Sequence, residues 1–494
     1  MKTVVLEHPR IGSEKRFNDI ANTPLWSCLM GGYAAAALEK AGFDVTFIDD
    51  ATPGTTFEQS LKKILAVKPG ILCVNAVYFW EHTVKLFDFF TNLKIKGFTG
   101  HINLFGFFPS LVYLDILGTV EAVDSVCVGE FEHTLAELAD FLKKGGVPDQ
   151  IPGLATRSHN GINIKHRPPE KNPDRFAFPK RIPEDSTVTI LASRGCYNRC
   201  SFCLVPAFDN SGGLWRGRSP ENIFREIEQF VAKGTRDFYF SDPNFIGPGR
   251  AGKKRVHQLL ELIKPLNITF GMETRPNDLD DEIIEDLVRS GMTSFLMGIE
   301  SGSANVLRLI GKSSTTAVAT RAIRLCRDHG IDPEIGFLMF VPDGNLGDLR
   351  DNIAFLQENN LLDRLDRTAN LLCHKQIVLA GTSGYRYYAE RGCLLKDGIF
   401  GFEGEVSLSD PKVEWVAKLV IFACHTILKS MSDIHSPIFW QKKVSPVFMA
   451  ANKYLVELFI NLLVEAETEV VPAKIPARTE EIDRDIREIL NQQR

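Results

Sequence analysis

Two trains of alternating strand-like and helix-like runs, separated by a Pro- and charge-rich stretch, constrain this chain more than any other feature. The first train spans residues 1–145. Its strand-like runs are "TVVLEH" (3–8), "DVTFIDD" (44–50), "GILCVNAV" (70–77), "HINLFG" (101–106) and "SVCVGE" (125–130), apolar enough for a buried parallel sheet. Between them lie helical runs such as "PLWSCLMGGYAAAALEKAG", with Pro24 near its start and Gly42 as its stop, and "FEHTLAELADFLKKGG" after the fifth strand. Five βα units in a row predict a doubly wound sheet, whose ligand site lies beyond the C-terminal strand ends. The first turn, "HPRIGSEKR", lacks G-x-G-x-x-G, so the dinucleotide fingerprint is absent.

Residues 146–186 break the alternation. "PGLATRSHNGINIKHR" predicts a small hairpin turning at Asn160-Gly161, and "RPPEKNPDRFAFPKRIPED" reads as a linker. The second train, 187–385, offers strands at 187–193, 237–242, 268–274, 294–300, 333–340 and 371–379. "SPENIFREIEQFVAKG" is a helix with Ser219 as N-cap and Gly234 after its end. Six units predict a partial (β/α)6 TIM-like barrel, where chemistry collects at the C-terminal strand ends. Residues 386–494 read as mainly helical and end in a stripe of Ile482, Ile486 and Ile489. The predicted fold class is therefore α/β: a doubly wound sheet, a partial barrel and a helical C-terminal region.

A net charge of -5 without a long Lys/Arg block argues against an extended nucleic-acid footprint. "MKTVVLEHPR" passes from a strand-like run straight into charged residues, so no signal peptide is expected. "KLVIFACHTIL" and "YLVELFINLLVE" are short and interrupted by Lys418, His425 or Glu457, which predicts buried helices and no transmembrane segment. Ten cysteines in 494 residues point to free thiols or metal ligands, and Cys28, Cys73, Cys127, Cys326 and Cys424 sit in apolar context as small core residues.

The chemistry-bearing motif is "RGCYNRCSFC", in which Cys196, Cys200 and Cys203 stand as C-x3-C-x2-C just past the first barrel strand. Structural zinc asks for four ligands in a closed tetrahedron, so that reading needs a distant partner such as Cys373 or His374. Three thiolates can instead hold a [4Fe-4S] cluster and leave one iron open.

The motif, with aromatic Phe202 before its last cysteine and a partial barrel after it, resembles the radical S-adenosylmethionine (SAM) superfamily. Arg194-Gly195 and "GGLWRGRSPENIFREIE" are similar to the branch in which a cobalamin-binding domain precedes the barrel, and the resemblance covers roughly residues 1–395. It implies that Cys196, Cys200 and Cys203 ligate iron and that SAM chelates the open iron. One electron then cleaves SAM to methionine and a 5'-deoxyadenosyl radical. Phe202 is expected beside the adenine, with Ser241 and Asp242 at the methionine amine and Glu300 and Ser301 near the ribose and carboxylate; Glu273 and Arg275 face the same site. At strand five this chain has "FLMFVPDGNLGD" where relatives carry a Gly-Leu-Pro-Gly-Glu-Thr-like turn, although Pro342 and Gly344 preserve a turn.

The first domain is similar to the cobalamin-binding domain of the same branch, with expected contacts at Asn75, Gly106, Ser110, Gly129 and Glu130. It lacks D-x-H-x-x-G, so no histidine is offered as a lower cobalt ligand, and Phe107 in "FGFFPS" replaces a glycine of the usual Gly-Gly-Pro-His. The resemblance implies a cobalamin-dependent C-methyltransferase acting on a small molecule, apolar or tetrapyrrole-like. Its rivals are an oxidative cyclase or hydroxylase without methyl transfer, a methylthiotransferase, and a metal-stabilised sensor. An electron donor such as flavodoxin or ferredoxin and a reducing cytoplasm are implied by the oxygen-sensitive cluster. The C-terminal region from about 395 is expected to cap the barrel mouth.

Overall fold

In a computed structural model of the chain, every residue is described except 14–28, 53, 147, 182–186, 209–212, 434, 437–444, 469–473 and 492–494. The first strand, β1 (Lys2–Glu7), divides its side chains between two cores, with Val4 and Leu6 in one and Val5 in the other. A strand apolar on both faces needs cover on both sides. Helices Phe57–Val67 and Val84–Ile95 cover one face through Ile64, Leu86 and Phe90; helices Leu29–Lys40 and Glu132–Lys143 cover the other through Ala34, Leu38 and Leu135. Gly42, at φ +83, follows the helix it was expected to stop, whereas the predicted start at Pro24, and Cys28, lie outside the described residues.

Strands β2 (Asp44–Asp49), β3 (Ile71–Asn75), β4 (His101–Phe105) and β5 (Ser125–Cys127) run parallel to β1 in the order β2-β1-β3-β4-β5. The order reverses between β1 and β3, the switch point at which such sheets bind ligands. The hairpin expected in the linker extends this sheet instead of standing apart: β6 (Leu154–Ser158) pairs antiparallel with β5, and β7 (Gly161–Ile164) with β6. Its turn residues are His159 and Asn160, one position earlier than expected. Arg157 fastens it by donating to the carbonyls of Leu117, Val120 and Val123.

The second sheet begins with β8 (Thr187–Ile190). A short antiparallel pair, β9 (Ser193–Arg194) and β10 (Arg216–Gly217), flanks the cysteine loop. Strands β11 (Asp237–Phe240), β12 (Thr269–Thr274), β13 (Met292–Glu300) and β14 (Glu334–Phe337) complete a parallel order β14-β13-β12-β11-β8. Ser219 caps helix Pro220–Val231 by accepting from the Asn222 N–H, and Gly234 follows it at φ +99.

The sixth barrel position differs from expectation. Residues 371–373 end helix Leu365–Cys373, and the strand pairing shrinks to one parallel bridge between Phe340 and Lys375. Leu365, Ala369 and Leu372 recur at helical spacing and are buried, so the helical period outweighs the apolar run.

The segment beyond the barrel reaches both the barrel's strand-five turn, where the Ser409 N–H bonds Pro342 O at 2.8 Å, and the first domain. Strands β15 (Val378–Leu379), β16 (Leu395–Asp397) and β17 (Glu403–Glu405) form a small antiparallel sheet that docks on the first domain, with Phe402 4.8 Å from Tyr78 and Phe400 4.9 Å from Phe87 between ring centres. Helices Pro411–Ser432 and Pro446–Thr468 pack against helices Leu346–Glu358 and Leu365–Cys373 and wall the side of the barrel beyond β14. At 22 and 23 residues they are longer than their charged interruptions suggested, long and apolar enough to cross a bilayer by length and composition. One face of each, including Trp415, Leu419, Leu455 and Phe459, is buried in the barrel's core. Ile482 and Ile486 join that core, and Ile489 is partly buried against it.

Candidate active site

The cysteine loop is held at both ends by buried polar groups. Asp242 accepts from the Ala192 N–H at 3.0 Å and from the Ser193 hydroxyl. Asp242, expected at the methionine amine, is fully buried, and its carboxylate supports the turn into the loop. Inside the loop the Tyr197 hydroxyl donates to Asp278 at 2.6 Å, and the Arg275 guanidinium lies 4.7 Å over the Tyr197 ring. Ser201 donates its N–H to Ile310 O and accepts from the Gly384 N–H, each at 2.8 Å.

Cys196, Cys200 and Cys203 are half-buried free thiols. Burial pushes Cys200 up to about 11, with Lys312 and Arg275 pulling it down and Glu300 and Cys196 pushing it up. Burial likewise pushes Cys203 up to about 12. Thiols held neutral in this way lose their protons when a metal supplies the missing positive charge. Among the described residues no three His, Cys, Asp or Glu side chains converge as ligands of one ion would. A four-iron cube takes each thiolate on a different iron and so needs no such convergence. Cys373, a proposed fourth zinc ligand, is buried in the helical core beside Cys424.

The strand ends bring Glu273, Arg275 and Glu300 to the same region. Pairing between β13 and β14 shifts at Gly298/Glu300, and Glu300 takes φ +74, a left-handed conformation that a non-glycine residue adopts at a cost of roughly 1–3 kcal/mol. That kink carries the Glu300 carboxylate to the Lys312 ammonium at 2.9 Å, close to Cys200. A Cβ on Gly298 would stand 2.8 Å from Glu300 Oε1, so only glycine leaves this space open. Glu273 accepts from the Tyr239 hydroxyl at 3.1 Å, and burial pushes its carboxyl up to about 7. Arg275 donates to Ser313 O at 2.8 Å, and its buried Nε has no hydrogen-bond partner among the described residues.

The other expected residues have different surroundings. Ser301 is buried and donates to Asn352 Oδ1 at 2.6 Å, a structural bond and not an open contact. Ser241 is half-buried just past β11, its N–H on Ile190 O. Phe202 packs against Val306, Ile310 and Val341. The strand-five turn forms as expected, with the Gly344 N–H on Val341 O at 3.0 Å. Lys312 and Asn198 were not singled out from sequence: Lys312 belongs to no local motif, and Asn198, inside the cysteine motif, stands at one of its variable positions.

In the first domain Glu7 and Asn75 meet at the switch point: Asn75 Nδ2 donates to both Glu7 carboxylate oxygens, at 2.9 and 3.1 Å. Glu7 also accepts from the Gly31 N–H at 2.9 Å and pairs with Arg10. Gly106, at φ +114, packs its α-carbon on Asn75, where a Cβ would stand 2.5 Å from Oδ1. Ser110 Oγ donates to Gly106 O at 2.7 Å and accepts from the Gly129 N–H at 3.1 Å. Phe107 turns to the barrel domain and pairs with Phe208, ring centres 4.3 Å apart. Glu130 accepts from Arg216 Nη1 at 2.8 Å and from the Glu170 N–H at 2.8 Å, so its side chain joins the two domains. Glu132 does the same for Arg194, which is stacked between Tyr33 and Phe176.

Residues 190–356, from the end of β8 through helix Leu346–Glu358, match the Radical SAM superfamily. The chain carries a radical SAM domain. It is 26% identical over 374 residues to an uncharacterised methyltransferase of Pyrococcus horikoshii, covering 72% of this chain and 78% of that protein. It is 27% identical over 340 residues to the anaerobic magnesium-protoporphyrin IX monomethyl ester cyclase of Rubrivivax gelatinosus, covering 64% of this chain and 58% of that one. Among solved structures, the cobalamin-dependent S-adenosylmethionine radical enzyme OxsB, with aqua-cobalamin and S-adenosylmethionine bound, covers 99% of this chain and 80% of its own at TM-score 0.78 and 19% identity. The radical S-adenosylmethionine methyltransferase TsrM of Kitasatospora setae covers 99% of both chains at TM-score 0.66 and 16% identity. At these identities the likeness establishes a shared fold.

The residues of this radical SAM enzyme fit the cofactors of its superfamily. Three thiols stand at the C-terminal end of the barrel, and each receives an N–H: Cys196 from Asn198 N, Cys200 from Asn198 Nδ2, and Cys203 from Val205 N. The orphan Arg275 Nε beside Cys200 offers a buried donor that an anionic group, such as the carboxylate of SAM, would satisfy.

Proposed function

We propose that this radical SAM enzyme is cobalamin-dependent and methylates an unactivated carbon of a small-molecule substrate. The supporting observation is the way the first sheet's ligand edge faces the cluster loop. Gly129 lies against the carbonyl of Phe208, five residues past Cys203, and Phe107 pairs with the Phe208 ring. The Arg194 and Arg216 ion pairs hold the two domains in that register. Gly106 and Gly129 present main chain at this edge, and no described histidine there has a free ring nitrogen: His8 Nδ1 bonds Pro9 O and its Nε2 accepts from the Val77 N–H. That donor set fits a corrin held by main-chain and apolar contacts without a lower histidine. When bound, cobalamin would supply methyl transfer, and the cluster with SAM the radical. Cys196, Cys200 and Cys203 hold iron, while Glu300, Lys312 and Arg275 set the charge around the SAM carboxylate and amine. Glu273 and Tyr239 line the barrel interior and orient a polar group of the substrate. Methyltransferase naming of the Pyrococcus relative supports this reading.

A second reading, oxidation or cyclisation without methyl transfer, is favoured by Phe107 at the glycine position and by the cyclase relative. One experiment separates them. Anaerobically purified, cluster-reconstituted protein is incubated with hydroxocobalamin and desalted. About one corrinoid per chain, with both S-adenosylhomocysteine and 5'-deoxyadenosine formed on turnover, supports methylation. No retained corrinoid, and 5'-deoxyadenosine alone, sinks it in favour of the second reading.

A further inference from the structure

Asn198 lies in the middle of the cysteine loop and is buried, with 7% of its surface exposed. Its neighbours are pinned outward: Tyr197 on Asp278, and Ser201 between Ile310 and Gly384. Asn198 is thereby turned inward onto two thiols. Its backbone N–H reaches Cys196 Sγ at 3.5 Å, and its side-chain amide Nδ2 reaches Cys200 Sγ at 2.9 Å. The second donor is the shorter and is supplied by a side chain, so this position alone in the loop makes it removable. Hydrogen bonds to the sulfurs of an iron–sulfur cluster stabilise its more negative, reduced state and raise its potential.

We propose that the Asn198 carboxamide is a positioning residue that sets the reduction potential of the [4Fe-4S] cluster through Cys200. The proposal rests on the radical SAM identity and not on cobalamin or methyl transfer. The couple takes up one electron from a low-potential reductant and no bond is made or broken. Lys312, Arg275 and Glu300 also lie near Cys200 and act on the same couple. They are unchanged by substitution at 198, so a change there reads the amide itself.

The test is a redox titration of the reconstituted protein, in the absence of SAM, followed by electron paramagnetic resonance of the reduced cluster. Asn198→Ala removes the donor, and Asn198→Asp replaces it with an acceptor carrying negative charge. At a fixed applied potential, Asn198→Ala is expected to give about a tenfold lower ratio of reduced to oxidised cluster, about 59 mV for one electron, and Asn198→Asp a lower ratio still. Midpoints equal to wild type, with iron and sulfide retained, would overturn the proposal. Should either variant fail to hold the cluster, the wild-type protein labelled with side-chain-amide 15N-asparagine decides. A 15N hyperfine coupling to the reduced cluster upholds the contact at Cys200, and its absence overturns it.

Discussion

Arg216 Nη1 donates to Glu130 Oε1 at 2.8 Å across 86 residues of chain, and both side chains are nearly buried. One turn of the first domain, Gly129-Glu130-Phe131-Glu132, thus grips both strands that flank the cysteine loop, since Glu132 pairs with Arg194 at 2.7 Å. Removing one partner of a buried ion pair leaves the other charge without compensation, so Glu130→Ala is expected to cost about 3–5 kcal/mol. Thermal unfolding of the anaerobic protein measures it. The double variant Glu130→Leu/Arg216→Met should recover much of the loss, because no unpaired charge remains.

Asp242 joins β11 to the start of the cysteine loop. Asp242→Ala strands the Ala192 N–H in a buried site and leaves the Ser193 hydroxyl only the Asn244 carbonyl at 3.3 Å, at a cost of about 1–3 kcal/mol. Iron per chain after reconstitution should fall with it, while Asp242→Asn, which keeps one acceptor, should lie between. Equal iron content in all three proteins would mean that the loop does not depend on this carboxylate.

The Phe107–Phe208 ring pair contributes about 0.5–1.5 kcal/mol beyond its buried area. With the ring engaged across the domain boundary, Phe107→Ala should weaken corrinoid retention by opening the cover of the sheet edge. Equilibrium binding of hydroxocobalamin followed by absorbance reads the change. A tighter Kd in the variant would instead show that the ring obstructs the site.

Glu7 introduces a pH dependence. Burial raises its carboxyl from 4.5 to about 7, against the pull of Arg10, Asn75 and the Gly31 N–H, with Asp49 pushing the same way. The folded state therefore favours the protonated acid. That contribution is complete below pH 4.5 and is lost as pH rises through about 7, roughly 3 kcal/mol over the window at 1.36 kcal/mol per unit. Neighbouring His8, held neutral by burial down to about 3 from an ordinary 6.5, acts in the opposite sense as pH rises between those values. Comparing Glu7→Gln with wild type isolates the acid. Denaturant unfolding from pH 5 to 8 should show the variant gaining relative stability with rising pH, and parallel curves would refute the assignment.

Much of the architecture was legible because it is local. Short apolar runs bounded by turn residues placed the parallel strands of both sheets to within a few residues, and Ser219 and Gly234 marked the limits of their helix. The run at 371–379 misled because "LLC" satisfies either period when read alone. The burial of Leu365, Ala369 and Leu372 against the C-terminal helices decides for helix. Helices 411–432 and 446–468 read as interrupted because Lys418, His425 and Glu457 were counted without their faces.

At the site, the spacing of Cys196, Cys200 and Cys203 determined by itself that three thiols share one loop, because ten residues of chain cannot separate them. The tertiary structure alone decided what surrounds them. Glu300 meets Lys312 only because β13 kinks at Gly298, and Asp242 reaches Ala192 only because β11 lies beside β8. Glu130 and Asp242 show how a carboxylate at a strand end is the same in sequence whether it meets a cofactor, an arginine or a main-chain N–H. Which of these it meets depends on residues 50 to 86 positions away, brought close by sheet order and burial. Local periodicity carries no information about such partners.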